Sequence, residues 1–285
     1  MKFAKEEMRI TTALLLAAGT GSRLQPITDD APKCLTEVNG KTILERLLAN
    51  LSKWGFKRLV VVVGHYERHI IESLASSTHG LTIEYVTNPR YRTTNNIYSL
   101  WAARKAIHEP FLLIESDLVF DASLLKDMLR PNKIAVSNKL PWMNGTVVAI
   151  DRSQHVMRFH AGGHSPRYES TYKTVNMYSF SRSSWQRVVR RLEQHISAGK
   201  VNTYYETVLG EMINDGSLAL RAVFFDNERW YEIDTPEDLH QAERLMLRMR
   251  RELVPRLKVQ RFFSGPDFQR VSSAAGREKT ISDGT

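Results

Sequence analysis

Apolar residues recur along this chain with two periods. Short aliphatic and β-branched runs at 11–16, 58–63, 81–86 and 111–115 read as strands, and the segments 43–54, 66–76 and 97–107 between them carry apolar residues at helical spacing. Ile43, Leu44, Leu47, Leu48, Leu51 and Trp54 share one helical face, which leaves Glu45, Arg46 and Lys53 to water. Strands alternating with crossover helices predict an α/β fold with a doubly wound, mostly parallel mixed sheet. Ligands of such sheets collect at the carboxyl ends of the strands. After Asp121, read as the N-cap of a helix over 122–129, the pattern turns strand-rich at 134–137, 146–150, 156–159 and 174–180. This part, about 134–182, is expected to extend the sheet and to add a small β-rich layer over a substrate.

Helices at 184–197 and 204–213 and strands at 218–225 and 230–233 follow. A last helix opens with Thr235 as N-cap, Pro236 in the first helical position and Glu237 and Asp238 in the first turn, and runs to about Arg251. The expected organisation is one domain over 1–252 and a basic tail over 253–285, of which 264–285 has no apolar periodicity and reads as flexible.

The net charge of +9 would suggest a nucleic-acid partner, but more than half of the excess lies between Arg244 and Lys279 and the body is only mildly basic. No nucleic-acid module is recognisable, so that partner is set aside. No apolar run reaches the 18 residues of a membrane helix, and charges interrupt residues 1–10 where a signal peptide needs an apolar core. A cytoplasmic protein without a membrane partner is expected. The single Cys34 rules out an internal disulfide and a cysteine metal cluster. His65 and His69 stand one helical turn apart with no third ligand at a motif distance, and no G-x-S-x-G elbow occurs.

Directly behind the first strand stands Leu16-Ala17-Ala18-Gly19-Thr20-Gly21-Ser22-Arg23-Leu24, with Pro32-Lys33 further on. Gly19 and Gly21 carry no Cβ and tolerate positive φ, so main-chain N–H groups there come close to a phosphate or a base. Arg23 and Lys33 add the positive charge a triphosphate needs. The spacing is neither the G-x-x-x-x-G-K-[ST] loop nor G-x-G-x-x-G, since Leu24 stands at the third glycine. Asp117 and Asp234 each end a predicted strand and suit Mg²⁺, which takes one or two carboxylates together with phosphate oxygens. Asp234 equally suits a capping role for the helix after it.

The pattern A-A-G-x-G-x-R-L-x-P-[IL]-T-x-x-x-P-K from Leu16 to Lys33 resembles the signature of nucleotidyltransferases of the sugar-1-phosphate pyrophosphorylase and cytidylyltransferase superfamily. Asn39-Gly40-Lys41, Asn95-Asn96-Ile97-Tyr98-Ser99-Leu100 and Tyr231-Glu232-Ile233-Asp234 are similar to the branch of CTP:phosphocholine and 2-aminoethylphosphonate-type cytidylyltransferases, over about residues 12–245. The resemblance implies a Rossmann-like nucleotidyltransferase fold and transfer of CMP from CTP to a small phosphonate or phosphate acceptor, with pyrophosphate released. It implies that Leu16, Ala17, Ala18, Gly19, Thr20, Gly21, Ser22, Arg23 and Lys33, with Asn88 and Ser116, hold the nucleotide. Arg23, Lys33, Asp117 and Asp234 would carry catalysis, with Mg²⁺ on Asp117 and Asp234 assisted by Glu232. The acceptor would meet Asn95, Asn96, Ser99, Trp142, Lys173, Tyr204 and Glu206, the aromatics facing an amine and Glu206 supplying opposite charge.

Two departures from the family pattern stand out. Glu115-Ser116-Asp117 replaces the usual small-acidic-Asp triplet, and Asn144 stands where many relatives carry an acid. A sugar- or polyol-phosphate nucleotidyltransferase and a non-catalytic nucleotide sensor remain open at this point, as does a homodimer.

Overall fold

A computed structural model of the chain describes residues 9–163 and 170–262, with backbone alone for 252–262. The chain divides into two units, Met1–Met246 and Leu247–Thr285. The expected flexible tail over 264–285 lies outside the described residues.

The hydrophobic run Thr12–Ala17 forms β1, and its alternation sorts side chains to the two faces of the sheet: Leu14, Leu16 and Ala18 enter one core layer, and Ala13, Leu15 and Ala17 the other. Parallel partners follow on either side, β2 (Arg58–Val63) with β3 (Thr82–Thr87) beyond it, and β4 (Phe111–Glu115). The order β3-β2-β1-β4 is that of a nucleotide-binding half-fold and puts the carboxyl ends of all four strands on one rim. Helix α1 (Ile43–Lys53) buries Ile43, Leu44, Leu47, Leu48 and Leu51, as its spacing predicts. Helix α2 (Glu67–Ser76) inserts Ile70 and Leu74 into the same layer. On the other face α3 (Asn96–Ala102) is shorter than the predicted 97–107 and continues as a 3₁₀ turn at Ala103–Lys105. The predicted helix at 122–129 is likewise a 3₁₀ segment, Ala122–Met128, opened by Asp121, whose side chain accepts from Ser123 N.

The strand-rich middle joins the same sheet. Strand β9 (Thr171–Phe180) lies antiparallel between β4 and β6 (Lys133–Asn138). The predicted layer is a hairpin-like addition in which β7 (Val147–Ile150) pairs with β9 and with β8 (Val156–His160). Helices α4 (Arg182–Ser197) and α5 (Tyr205–Asn214) cover this half through Trp185, Val188, Leu192, Tyr205 and Val208. Strand β10 (Arg221–Phe224) then adds parallel to β6 at the edge.

One element has no counterpart among the predicted strands. A turn at Ser116-Asp117 separates β4 from β5 (Leu118–Phe120), and β5 leaves the main sheet to pair antiparallel with β11 (Trp230–Glu232). The last helix, α6 (Pro236–Phe262), runs past the expected Arg251. No helix among the described residues is long and apolar enough to cross a membrane.

Helix α1 carries a complete capping box: Thr42 Oγ1 accepts from Glu45 N at 3.0 Å, and Glu45 Oε2 accepts from Thr42 N at 2.7 Å. Thr42→Ala is therefore expected to lower folding stability by about 1 kcal/mol. A shift of the urea midpoint at constant slope, with ligand binding at the rim unchanged, is the measurement.

Candidate active site

The glycine loop leaves β1 at the rim. Gly21 takes φ +67° and starts the 3₁₀ turn Ser22–Leu24; a Cβ there would meet Thr28 Cγ2 at 3.2 Å, so backbone angle and packing both require glycine. Thr28 Oγ1 donates to Gly21 O at 2.9 Å, and buried Leu24 anchors the turn, which holds Arg23 in solvent. Gly19 differs from the expectation of positive φ: it lies outside the left-handed region, and the space a Cβ would fill is open. Its value is room above the loop. Lys33 opens a second 3₁₀ turn, Lys33–Leu35, after extended Pro32, and Cys34 is buried in the core beneath it. Burial pushes the Cys34 thiol up to about 12, so it stays protonated and plays no nucleophilic part.

Leu16, Ala18, Gly19, Thr20, Gly21, Ser22, Arg23 and Lys33 line a cleft of about 360 Å³ together with Asn88, Ser116 and Asp117. Ala17 is the exception in the predicted nucleotide set, because strand alternation turns it into the opposite core layer. Asn88 and Ser99 are both buried, and Asn88 Nδ2 donates to Ser99 Oγ at 3.0 Å. Asn95, Asn96, Ser99 and Tyr204, expected to meet an acceptor, line this same cleft. The side chain of Asn95 is engaged in capping Asn96 N at 2.7 Å. Asn96 is a brace: its Nδ2 donates to Glu115 Oε1 at 3.2 Å and its Oδ1 accepts from Tyr205 N at 3.0 Å.

A second cleft of about 210 Å³ is lined by Trp142, Met143, Asn144, Lys173, Trp230, Tyr231, Glu232 and Asp234. Arg23 lines both clefts. Trp142 is 60% exposed, with its ring free of a core role, whereas Trp230 is buried and its Nε1 has no hydrogen-bond partner.

The two clefts meet at the aspartates. Ile233 N donates to Asp117 O at 2.9 Å, continuing the β5–β11 pairing by which Asp117 and Asp234, 117 positions apart in sequence, reach one point. Lys33 Nζ donates to Asp117 Oδ2 at 3.0 Å and to Asp234 Oδ1 at 2.6 Å. Arg23 lies 2.9 Å from the same Asp234 oxygen. Burial works to lower the Lys33 pKa, but the charges and hydrogen bonds of the two aspartates outweigh it and hold the ammonium above the ordinary lysine value. The capping reading of Asp234 does not hold. Thr235 is the cap, as expected, its Oγ1 accepting from Asp238 N at 3.2 Å, while Asp238 Oδ2 accepts from Thr235 N at 2.8 Å and Asp234 N at 3.1 Å; the Asp234 carboxylate faces Lys33 and Arg23.

Beneath the aspartates lies a further layer of charge. Lys173, expected to meet the acceptor, pairs with Ser137 of β6 on one side and Val147 of β7 on the other and is buried. Its Nζ reaches Glu232 Oε2 at 3.0 Å and Thr174 O at 2.8 Å. Asn176, in the left-handed region at φ 53° near the register shift against β6, donates to Glu232 Oε1 at 3.0 Å. Sequence reading assigned Asn176 no role, and only the shifted register marks it. Glu206 is buried with Oε2 unpartnered, and burial pushes it up to about 7. It backs the site and lines neither cleft. Glu115 lines the first cleft and is raised well above the usual carboxylate range, by burial first and then by Asp117 and Glu206.

Asp117, Glu232 and Asp234 can each bring an oxygen within 4.8 Å of the others, and Asp117 Oδ1 is buried without a partner.

Residues 13–139 match the family model described as a MobA-like NTP transferase domain. CMP-5'-(3-aminopropyl)phosphonate synthase of Streptomyces rubellomurinus is 31% identical over 253 residues, 85% of this chain; the chain spans only 40% of that relative's length. A 2-aminoethylphosphonate cytidylyltransferase of Lancefieldella rimae is 26% identical over 80% of this chain and 90% of its own. Among solved structures, CTP:phosphocholine cytidylyltransferase of Streptococcus pneumoniae superposes with a TM-score of 0.71 at 20% identity, over 84% of this chain and 99% of its own, which shows the shared fold. The glycine loop on the rim of a β3-β2-β1-β4 sheet, the family match and these relatives agree on residues 13–139: this part of the chain is a MobA-like NTP transferase domain.

Proposed function

We propose that this protein is a cytidylyltransferase that moves CMP from CTP to a small phosphonate or phosphate acceptor of the aminoalkylphosphonate or phosphocholine type, with release of pyrophosphate. The observation that carries the reading is the meeting of two clefts at Asp117 and Asp234, with Lys33 and Arg23 between them. A nucleotide on the glycine loop and an acceptor against Trp142 and Lys173 would bring their phosphorus centres to this junction. The aminoalkylphosphonate relatives favour the acceptor class.

The acceptor oxygen attacks the α-phosphorus, a P–O bond forms, and the bond to the β-phosphate breaks with its electron pair leaving on pyrophosphate. The acceptor anion is ionised near neutral pH, so no general base is required, and the protein's work is positioning and charge neutralisation. Main-chain N–H groups of the loop and the Arg23 guanidinium bind phosphate oxygens. Lys33 brings a mobile ammonium to the oxygens where charge gathers. On the acceptor side Lys173 offers the opposite charge to a phosphonate, and Trp142 presents an open ring face to an alkylammonium. Glu206, behind Lys173 and Asn96, supports the wall.

The carboxylates fit Mg²⁺: they are hard oxygen donors within reach of one another, and Asp117 Oδ1 has a lone pair that no described residue uses. Asp117 and Asp234 would hold the ion with Glu232 beside them. Bound there, it would supply further charge neutralisation to the phosphates.

Pyrophosphate release is expected with CTP and 2-aminoethylphosphonate, 3-aminopropylphosphonate or phosphocholine. Release only with glucose 1-phosphate or an inositol phosphate would replace the acceptor class, and CTP binding without release on any acceptor would make the protein a sensor. Asp117→Asn should reduce turnover to background with an unchanged circular dichroism spectrum; wild-type rates would remove the proposed junction. Trp142→Ala should raise KM for an aminoalkyl acceptor about three- to fivefold through loss of a cation–π contact, with nucleotide affinity unaltered.

A further inference from the structure

The cation between the two aspartates in this structure is the protein's own. Lys33 Nζ contacts Asp117 Oδ2 and Asp234 Oδ1 at 3.0 and 2.6 Å, so its ammonium, with the Arg23 guanidinium on the same Asp234 oxygen, lies at the pair that the transfer reading assigns to a divalent metal. Lys33 takes one oxygen of each aspartate and leaves Asp117 Oδ1 open, so the competition is one of charge: an ion held by the same two carboxylates would place its two charges beside a third of the same sign.

The third carboxylate offers no alternative. Both oxygens of Glu232 are engaged, one by Lys173 Nζ at 3.0 Å and the other by Asn176 Nδ2 at 3.0 Å. Lys33, by contrast, has somewhere to go. Its side chain lines the cleft of the glycine loop, and its backbone is pinned by the burial of Cys34 next to it. A four-carbon arm on a fixed base can carry its ammonium from carboxylate to phosphate without moving the fold.

We propose, resting on the transfer reading above, that Lys33 is a resident surrogate cation. It closes the aspartate pair to divalent metal until a triphosphate on the glycine loop draws the ammonium away. Loading of the metal then follows the nucleotide, and by linkage each tightens the other's binding.

The test uses the full chain with Mn²⁺ alone as probe, no acceptor and no turnover, and reads free Mn²⁺ by electron paramagnetic resonance. Without nucleotide, Lys33→Gln and Lys33→Met should each bind Mn²⁺ at least about tenfold tighter than wild type. Lys33→Arg, which keeps the charge, should remain as weak as wild type. Adding Asp117→Asn to Lys33→Gln should abolish the gain. Mn²⁺ should also raise the melting temperature of Lys33→Gln by more than that of wild type, because it replaces the lost positive charge between the aspartates.

Equal or weaker Mn²⁺ binding by both uncharged variants overturns the proposal. If pyrophosphate release from CTP persists alongside that result, the lock alone has failed and the transfer reading stands. If Asp117→Asn also leaves Mn²⁺ binding unchanged and no acceptor yields pyrophosphate, the transfer reading has failed with it.

Discussion

The bridge from Asp117 through the Lys33 ammonium to Asp234 is the interaction on which the site depends. Two carboxylates this close repel one another in a half-buried setting unless a cation lies between them. Their proximity is enforced from outside: β5 leaves the main sheet at the Ser116-Asp117 turn, and its antiparallel pairing with β11 delivers Asp234 from the far end of the domain. The strand pairing supplies the geometry. The lysine compensates the electrostatic cost.

The same logic extends one layer down. Glu115, Glu206 and Glu232 lie below the aspartates, with Lys173 as the cation among them. Asn96 and Asn176 tie carboxylates to α5 and β9 by neutral donors. Burial pushes all three carboxyls toward the neutral form, which lowers the cost of packing them together. The cationic arms Arg23 and Lys33 line the clefts above this layer. Exposed positive charge thus stands at the mouth on Arg23, over a buried layer in which the Lys173 ammonium is balanced by Glu232.

Most of the sheet was legible because burial on two faces forces uninterrupted apolar runs. β1, β2 and β4 are such runs, and the helices between them show the 3.6-residue spacing of a one-sided contact. The loop was legible because glycine at residue 21 answers a local backbone demand that no other residue meets cheaply. The shortening of α3 and the 3₁₀ form of Ala122–Met128 were not legible, since helix type over one or two turns is decided by what packs on the ends. Strand β5 escaped notice for a related reason: three residues carry no period.

What the chain determines by itself is local: the alternation that makes an α/β sheet, the glycine turn, the placement of Arg23 and Lys33 behind the first strand, and acidic residues at strand ends. Tertiary structure alone decided that Asp117 and Asp234 share a lysine, that Lys173 is buried between two strands, and that Glu206 stands behind the site. The physical reason is range. Backbone preference and periodicity act over a few residues, whereas the field at a carboxylate is set by whichever charges the fold brings within a few ångströms, from anywhere in the chain.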